Sequence, residues 1–400
     1  MSKSIMFIDK NKVVNYAGGV EKVICEFANE FIRRGYDLYI VCIDTERGVP
    51  FFHLDSKVKF INLCYSYADY NYVNIKYKAK KLQRELMRGL FGKKLDFFGK
   101  KLVDPKEEYF YSEFANRLKK CILDKRPDIF LPTDVEATQV LLNVCDELDY
   151  KKTVISMCHG DPQYLTYTSS QIKALEKCNV VQVLLPSFVN TLCRYGLKNV
   201  VAIPNAICGI KNIKATQKSN RKTIINVARI DGGGKNQDVL IRAFVTLAAE
   251  FPEWDISFWG DIANRRYYDS LQKLIKEYSL EGRVKFKGTT NDIIKEYINS
   301  DIFAFPSKHE GFGIAMVEAM SVGLPVIAYK SCNGPANIIN DGIDGVLCDD
   351  GIEAFTENLK ALMLDESMRM KIGEGARIAA AKYSPELVWD MWEQYIKRYI

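Results

Sequence analysis

Apolar residues recur along the chain in two alternating rhythms. Short runs at 5–9, 36–43, 58–63, 128–133, 153–158 and 180–186 read as buried strands. Between them the spacing changes to three and four. Over 20–34, Val20, Val23, Ile24, Phe27 and Phe31 share one helical face, and Gly35 closes the turn. Helices are also expected over about 107–125 and 136–147, and Ser187 reads as the cap of another that ends at Gly196. The rhythm restarts after 220. Strands are expected at 223–228, 254–260, 284–288, 301–306, 326–329 and 346–348, with helices from about 238 and over 314–322. Such alternation builds parallel sheets with helices on both faces, and its restart predicts a second sheet.

The chain of 400 residues exceeds what one core usually holds, so two domains are expected. A polar, lysine-rich run at 211–222 reads as the linker, which divides the chain into 1–207, 208–383 and a last segment, 384–400. That segment is amphipathic, with Val388, Trp389, Trp392, Tyr395 and Ile396 apolar.

Composition adds little except by exclusion. Hydrophobic residues make up 48% and charged residues 26%, ordinary for a globular chain. The 11 cysteines stand without any C-x-x-C pair and only 3 histidines are present, which argues against zinc or disulfide frameworks and for a reducing compartment. The polar start MSKSIMFIDK and the lack of an apolar run of 18 point to a cytoplasmic protein. The net charge of +6 is unevenly spread. Between Lys76 and Lys101 ten basic residues face only Glu85 and Asp96, a local +8, while Leu82, Leu86 and Leu90 share a helical face. A basic amphipathic insertion at about 72–104 can lie on an anionic membrane, or be a solvated surface helix. No nucleic-acid module accompanies it.

Candidate chemistry gathers at turns that follow strands. Glu310-Gly311-Phe312-Gly313-Ile314 joins a strand to a helix, with Glu318 eight residues after Glu310. Both carboxylates can face one crevice, with helix-start amides between them, although a solvated pair at an ordinary helix start has the same spacing. Arg229 and Lys235 flank three glycines at another strand end, two cations suited to a diphosphate; the glycines suggest a loose loop. Gly18-Gly19 opens the first helix, as glycine pairs often do. His159 ends a strand and can reach a sugar hydroxyl or serve a structural role.

The window 307–320 resembles the nucleotide-sugar motif of the retaining GT-B glycosyltransferases, family 4 in particular. Gly18-Gly19-Val20-Glu21-Lys22 is similar to that family's first glycine loop, Arg229…Lys235-Asn236 to its R-x-x-x-K-N, and VAIPNAI at 201–207 to the element before its linker. Cys208 stands there for the usual aspartate, Ile262-Ala263 for the second glycine after Gly260, and Asn337 for a glutamate. The resemblance implies two Rossmann-like domains facing a cleft, with the last helix crossing back to the N-terminal, acceptor-binding one. It implies transfer of a hexose or N-acetylhexosamine from a nucleotide sugar, UDP by family habit, with no cofactor and no metal. Glu310, His159, Arg229 and Lys235 would be catalytic. The donor would also meet Gly18, Gly19, Asn205, Thr289, Gly311, Phe312, Gly313, Ile314 and Glu318. The implied acceptor is a lipid-linked or cell-surface glycan at the inner membrane face. A protein or teichoic-type acceptor, a sugar-nucleotide epimerase of the same fold and a non-catalytic partner subunit are the alternatives.

Overall fold

Both sheets that the alternation predicts are present in the computed structural model, which describes residues 2–64, 105–207 and 221–399 and short pieces between 78 and 101. The first sheet has strands β1 Ser4–Asp9, β2 Asp37–Cys42, β3 Lys59–Asn62, β4 Ile129–Pro132, β5 Thr153–Cys158, β6 Val180–Val183 and β7 Val200–Ala202. They lie in the order β3-β2-β1-β4-β5-β6-β7, every pair parallel. The second has β8 Lys222–Val227, β9 Trp254–Trp259, β10 Val284–Phe286, β11 Ile302–Phe305, β12 Val326–Tyr329 and β13 Val346–Cys348, in the order β10-β9-β8-β11-β12-β13, again all parallel. The central strands β1, β4, β11 and β12 are buried along nearly their whole length, because helices cover both faces. That is why they read as unbroken apolar runs.

The strand order reverses beside β1 in one lobe and beside β8 in the other. Ligands of such sheets lie at those points, beyond the carboxyl ends of the strands. The last helix, Pro385–Lys397, returns to the N-terminal lobe. Trp389 and Trp392 stand edge-on to Phe27 at 5.4 and 5.2 Å, and Arg34 pairs with Asp390 and Glu393, each at 2.8 Å.

One helix start differs from the sequence reading. The helix after β6 spans Pro186–Cys193 and its cap is Leu185, not Ser187. Proline is suited to the first helical position, so the helix begins before the serine, whose hydroxyl is buried without a partner. The linker residues 208–220 and most of the basic insertion lie outside the described residues. Within that insertion Asp96–Phe97 and Lys100–Lys101 form an antiparallel pair, and Leu82 and Leu86 are exposed. Ten cysteines are free among the described residues.

Candidate active site

The loops beyond the two reversal points face each other across a cleft of about 720 Å³. Every residue that the sequence put forward lines it: Gly18, Gly19, His159 and Asn205 from the first lobe, and Arg229, Lys235, Thr289, Glu310 to Ile314 and Glu318 from the second.

The loop after β8 is pinned, not loose. Asn236 adopts the left-handed conformation (φ 51°) and its amide donates to the Pro306 carbonyl at 2.8 Å, tying the loop to the end of β11. Lys308 N–H donates to the Gly234 carbonyl at 2.8 Å, and the Gln237 side chain donates to the Arg229 carbonyl at 3.1 Å. Gly233 N–H is held by Asp231 at 2.7 Å. The three glycines serve a shape, with Gly232 and Gly234 at positive φ. Arg229, 47% exposed, contacts the Tyr16 hydroxyl of the other lobe and Asp231 at 3.1 Å. Lys235 Nζ lies 2.5 Å from Glu310 Oε1, both largely shielded from solvent. This places a cation and an anion side by side, each the partner of the other.

The turn after β11 is built for close approach. A Cβ on Gly311 would come within 2.1 Å of the His159 carbonyl oxygen, so only glycine lets this turn meet the other lobe. Gly313, at φ 81°, starts the helix Ile314–Ser321 with no side-chain cap. Phe312 is buried with its ring 5.0 Å from Tyr383. Glu318, 4% exposed, accepts from Tyr297 OH at 3.2 Å and is ion-paired to Lys22 from the first lobe. On that first lobe, His159 Nε2 is shut off from solvent without a partner, and burial lowers its pKa to about 4, so the ring is neutral. His309 packs its ring against Tyr164, 4.1 Å away, and does not line the cleft.

Among the cleft residues to which the sequence reading assigned no role of their own are Tyr16, Glu21 and Lys22, the last two lying within the glycine-loop motif. An acid in a first helical turn normally reads as a complement to the helix dipole, which concealed Glu21. The pairing of Lys22 with Glu318 spans nearly three hundred positions and leaves no local pattern.

Comparison with known proteins accords with this architecture. Residues 210–379 match the model of the glycosyl transferases group 1. A glycosyltransferase of Haemophilus influenzae, named as uncharacterised, is 24% identical over 98% of this chain and 99% of its own. The lipopolysaccharide core biosynthesis glycosyltransferase LpsE of Rhizobium meliloti is 24% identical over 70% of this chain and 78% of its own. Among solved structures, a TarM mutant of S. aureus in complex with fondaparinux, alpha-GlcNAc-glycerol and UDP superposes with a TM-score of 0.74 at 16% identity, covering 98% of this chain and 99% of its own. The two facing Rossmann-like lobes are thus a GT-B fold, and the protein is a glycosyltransferase enzyme. The match to the group 1 model spans the loops of Arg229, Lys235 and Glu310 in the second lobe.

Proposed function

We propose that the protein is a retaining, family 4 glycosyltransferase that moves a hexose or N-acetylhexosamine from a UDP-sugar to a lipid-linked or cell-surface glycan at the cytoplasmic face of the membrane. The observation that carries this reading is the convergence of Arg229, Lys235, Glu310 and Glu318 on one cleft between two lobes. In the reaction the bond from the anomeric carbon to the diphosphate oxygen breaks and a bond to the acceptor oxygen forms on the same face. The acceptor proton passes to the departing phosphate. Negative charge grows on the phosphate oxygens, where Arg229, Lys235 and the amides of their loop receive it. Those two cations are the charge the step needs, so the reading invokes no metal. Glu310 directs the donor sugar, Glu318 takes the ribose hydroxyls, and neutral His159 can accept or donate a hydrogen bond to the sugar without adding charge.

A UDP donor and a glycan acceptor are supported by the ligands in the TarM structure and by the role named for LpsE. The membrane location rests on the basic sequence at about 76–101, most of which lies outside the described residues. No helix among the described residues is long and apolar enough to cross a membrane. The decisive assay is incubation with a panel of UDP-hexoses and UDP-N-acetylhexosamines and lipid-linked acceptors, with the product anomer read by NMR. Transfer with an unchanged anomer is expected. No transfer from any nucleotide sugar, or an inverted product, would overturn the reading.

A further inference from the structure

Glu21 lies in the cleft wall and has no part in the reaction as written above, yet it is only 5% exposed. It stands in the first turn of the helix Gly19–Arg33. Its carboxyl folds back under the glycine loop: Oε2 occupies the place where a side chain on Gly18 would begin, 2.0 Å from a Cβ built there. The ring of Tyr16 closes the same space from the other side, with Cε1 2.8 Å from that position. A side chain on Gly18 would displace the Glu21 carboxyl, although Gly18's own φ of −95° would suit any residue.

The titratable groups around Glu21 come from each element that faces it. Asp9, at the end of β1, is wholly buried, with Oδ1 accepting from Asn11 N–H at 2.8 Å and Oδ2 unpartnered. Cys25 lies one turn along the same helix, and Tyr16 is in the loop before it. Arg229 faces it from the opposite lobe. Lys22, its neighbour in sequence, turns instead to Glu318 and Glu26. Burial and the carboxyl of Asp9 outweigh Arg229 and the bond from its own backbone N–H, and push the Glu21 carboxyl up to about 8.

We propose that Glu21 is a positioning residue for the anionic part of the donor: its carboxyl, wedged beneath Gly18, sets the amides of the Gly18-Gly19 loop toward the phosphates. The inference rests on the reading that the donor is a nucleoside diphosphate sugar. An ionised Glu21 would add a negative charge beside the phosphates and compete with them for Arg229. The enzyme that binds donor is therefore the form with Glu21 protonated. Apparent affinity is reduced by the fraction that has lost the proton, about tenfold at one pH unit above the midpoint.

The experiment is calorimetric titration of UDP into the full chain at about pH 7 and about pH 9, above the last phosphate ionisation of UDP. The wild-type Kd is expected to rise about tenfold between the two. Glu21→Gln, which cannot ionise, is expected to give one Kd at both. Gly18→Ala, which displaces the carboxyl and leaves Glu21 in the chain, is expected to weaken binding about tenfold and flatten the pH dependence. Circular dichroism at both pH values shows whether each variant is folded. A flat wild-type response, or a Glu21→Gln protein that keeps the wild-type slope, overturns the proposal. Failure of the wild type to bind UDP at either pH would instead overturn the donor reading, and this inference with it.

Discussion

The ammonium of Lys22, on the first helix of one lobe, is ion-paired to the carboxylate of Glu318, on the helix behind the Glu310 turn of the other. A second cross-lobe contact joins Tyr16 to Arg229. Both clasps end on second-lobe residues assigned to the donor, so the contacts that hold the lobes together and those that hold the donor share the same side chains. Replacing Lys22 by Met would leave the Glu318 carboxylate shielded and unpaired. Truncating one partner of a buried pair costs about 3–5 kcal/mol, but here the cleft can open and rehydrate the carboxylate, so most of that is released as lobe separation. The expected outcome for Lys22→Met is a larger radius of gyration by small-angle scattering without donor, and kcat/KM lowered about tenfold, equivalent to about 1.4 kcal/mol. A radius and rate like those of the wild type would show that the clasp contributes nothing.

The cation pair gives a sharper test. Arg229→Ala and Lys235→Ala should each lower kcat by about 10²–10³, the cost of removing one preorganised donor from a developing anion. Lys235 also neutralises Glu310, 2.5 Å away. The double variant Lys235→Ala/Glu310→Gln should therefore lose less than the product of the single losses, because the second change removes the carboxylate that the first left unpaired. Strictly multiplicative effects would mean that the two side chains act independently.

How much of this the amino-acid sequence discloses depends on whether a residue acts through its own backbone or through a distant partner. The turns at 229–236 and 310–314 are legible because their geometry needs particular residue types: Asn236 in a left-handed conformation with an amide for Pro306, Gly313 at positive φ before a helix. The strands are legible because both faces of each sheet are covered. Ser187 misled because its hydroxyl looked like a cap, while the proline before it had already begun the helix. Glu21 and Lys22 are visible only as members of the glycine-loop motif, and Tyr16 not at all, because the contacts of each come from the opposite lobe or from a neighbouring strand end. The boundary proposed at 207/208 falls at the edge of the described residues.

His159 makes a prediction about stability and pH. Its folded pKa, about 4, lies below the unfolded value of 6.5, so the unfolded chain takes up the proton first as pH falls. The contribution is fully present above about pH 6.5 and is lost as pH falls toward about 4, by at most about 3 kcal/mol. Glu21 and Asp134, whose folded pKa values are raised to about 8 and about 6, titrate in the opposite sense but are common to any His159 variant. Urea denaturation of wild type and His159→Asn from pH 7 to pH 5 should therefore show the difference between them shifting in favour of the variant as pH falls. Parallel curves would indicate that the imidazole titrates alike in the folded and the unfolded chain.

Gly311 sets how closely the lobes can meet. A Cβ there would lie 2.1 Å from the His159 carbonyl oxygen, far inside van der Waals contact. The obstacle is backbone on both sides: one is the end of β5, the other the turn that carries Glu310, so neither can swing away as a side chain would. The three nearest atoms to that Cβ all belong to the first lobe, so the strain of Gly311→Ala is expected to be relieved by opening the cleft. UDP, gripped mainly by second-lobe residues, should bind within about threefold of wild type, while kcat falls by at least about 100-fold because the reacting geometry forms only between closed lobes. The radius of gyration with UDP bound should stay at the open value. An alanine variant that closes and turns over normally would mean that the packing of Gly311 on His159 is not part of the working state.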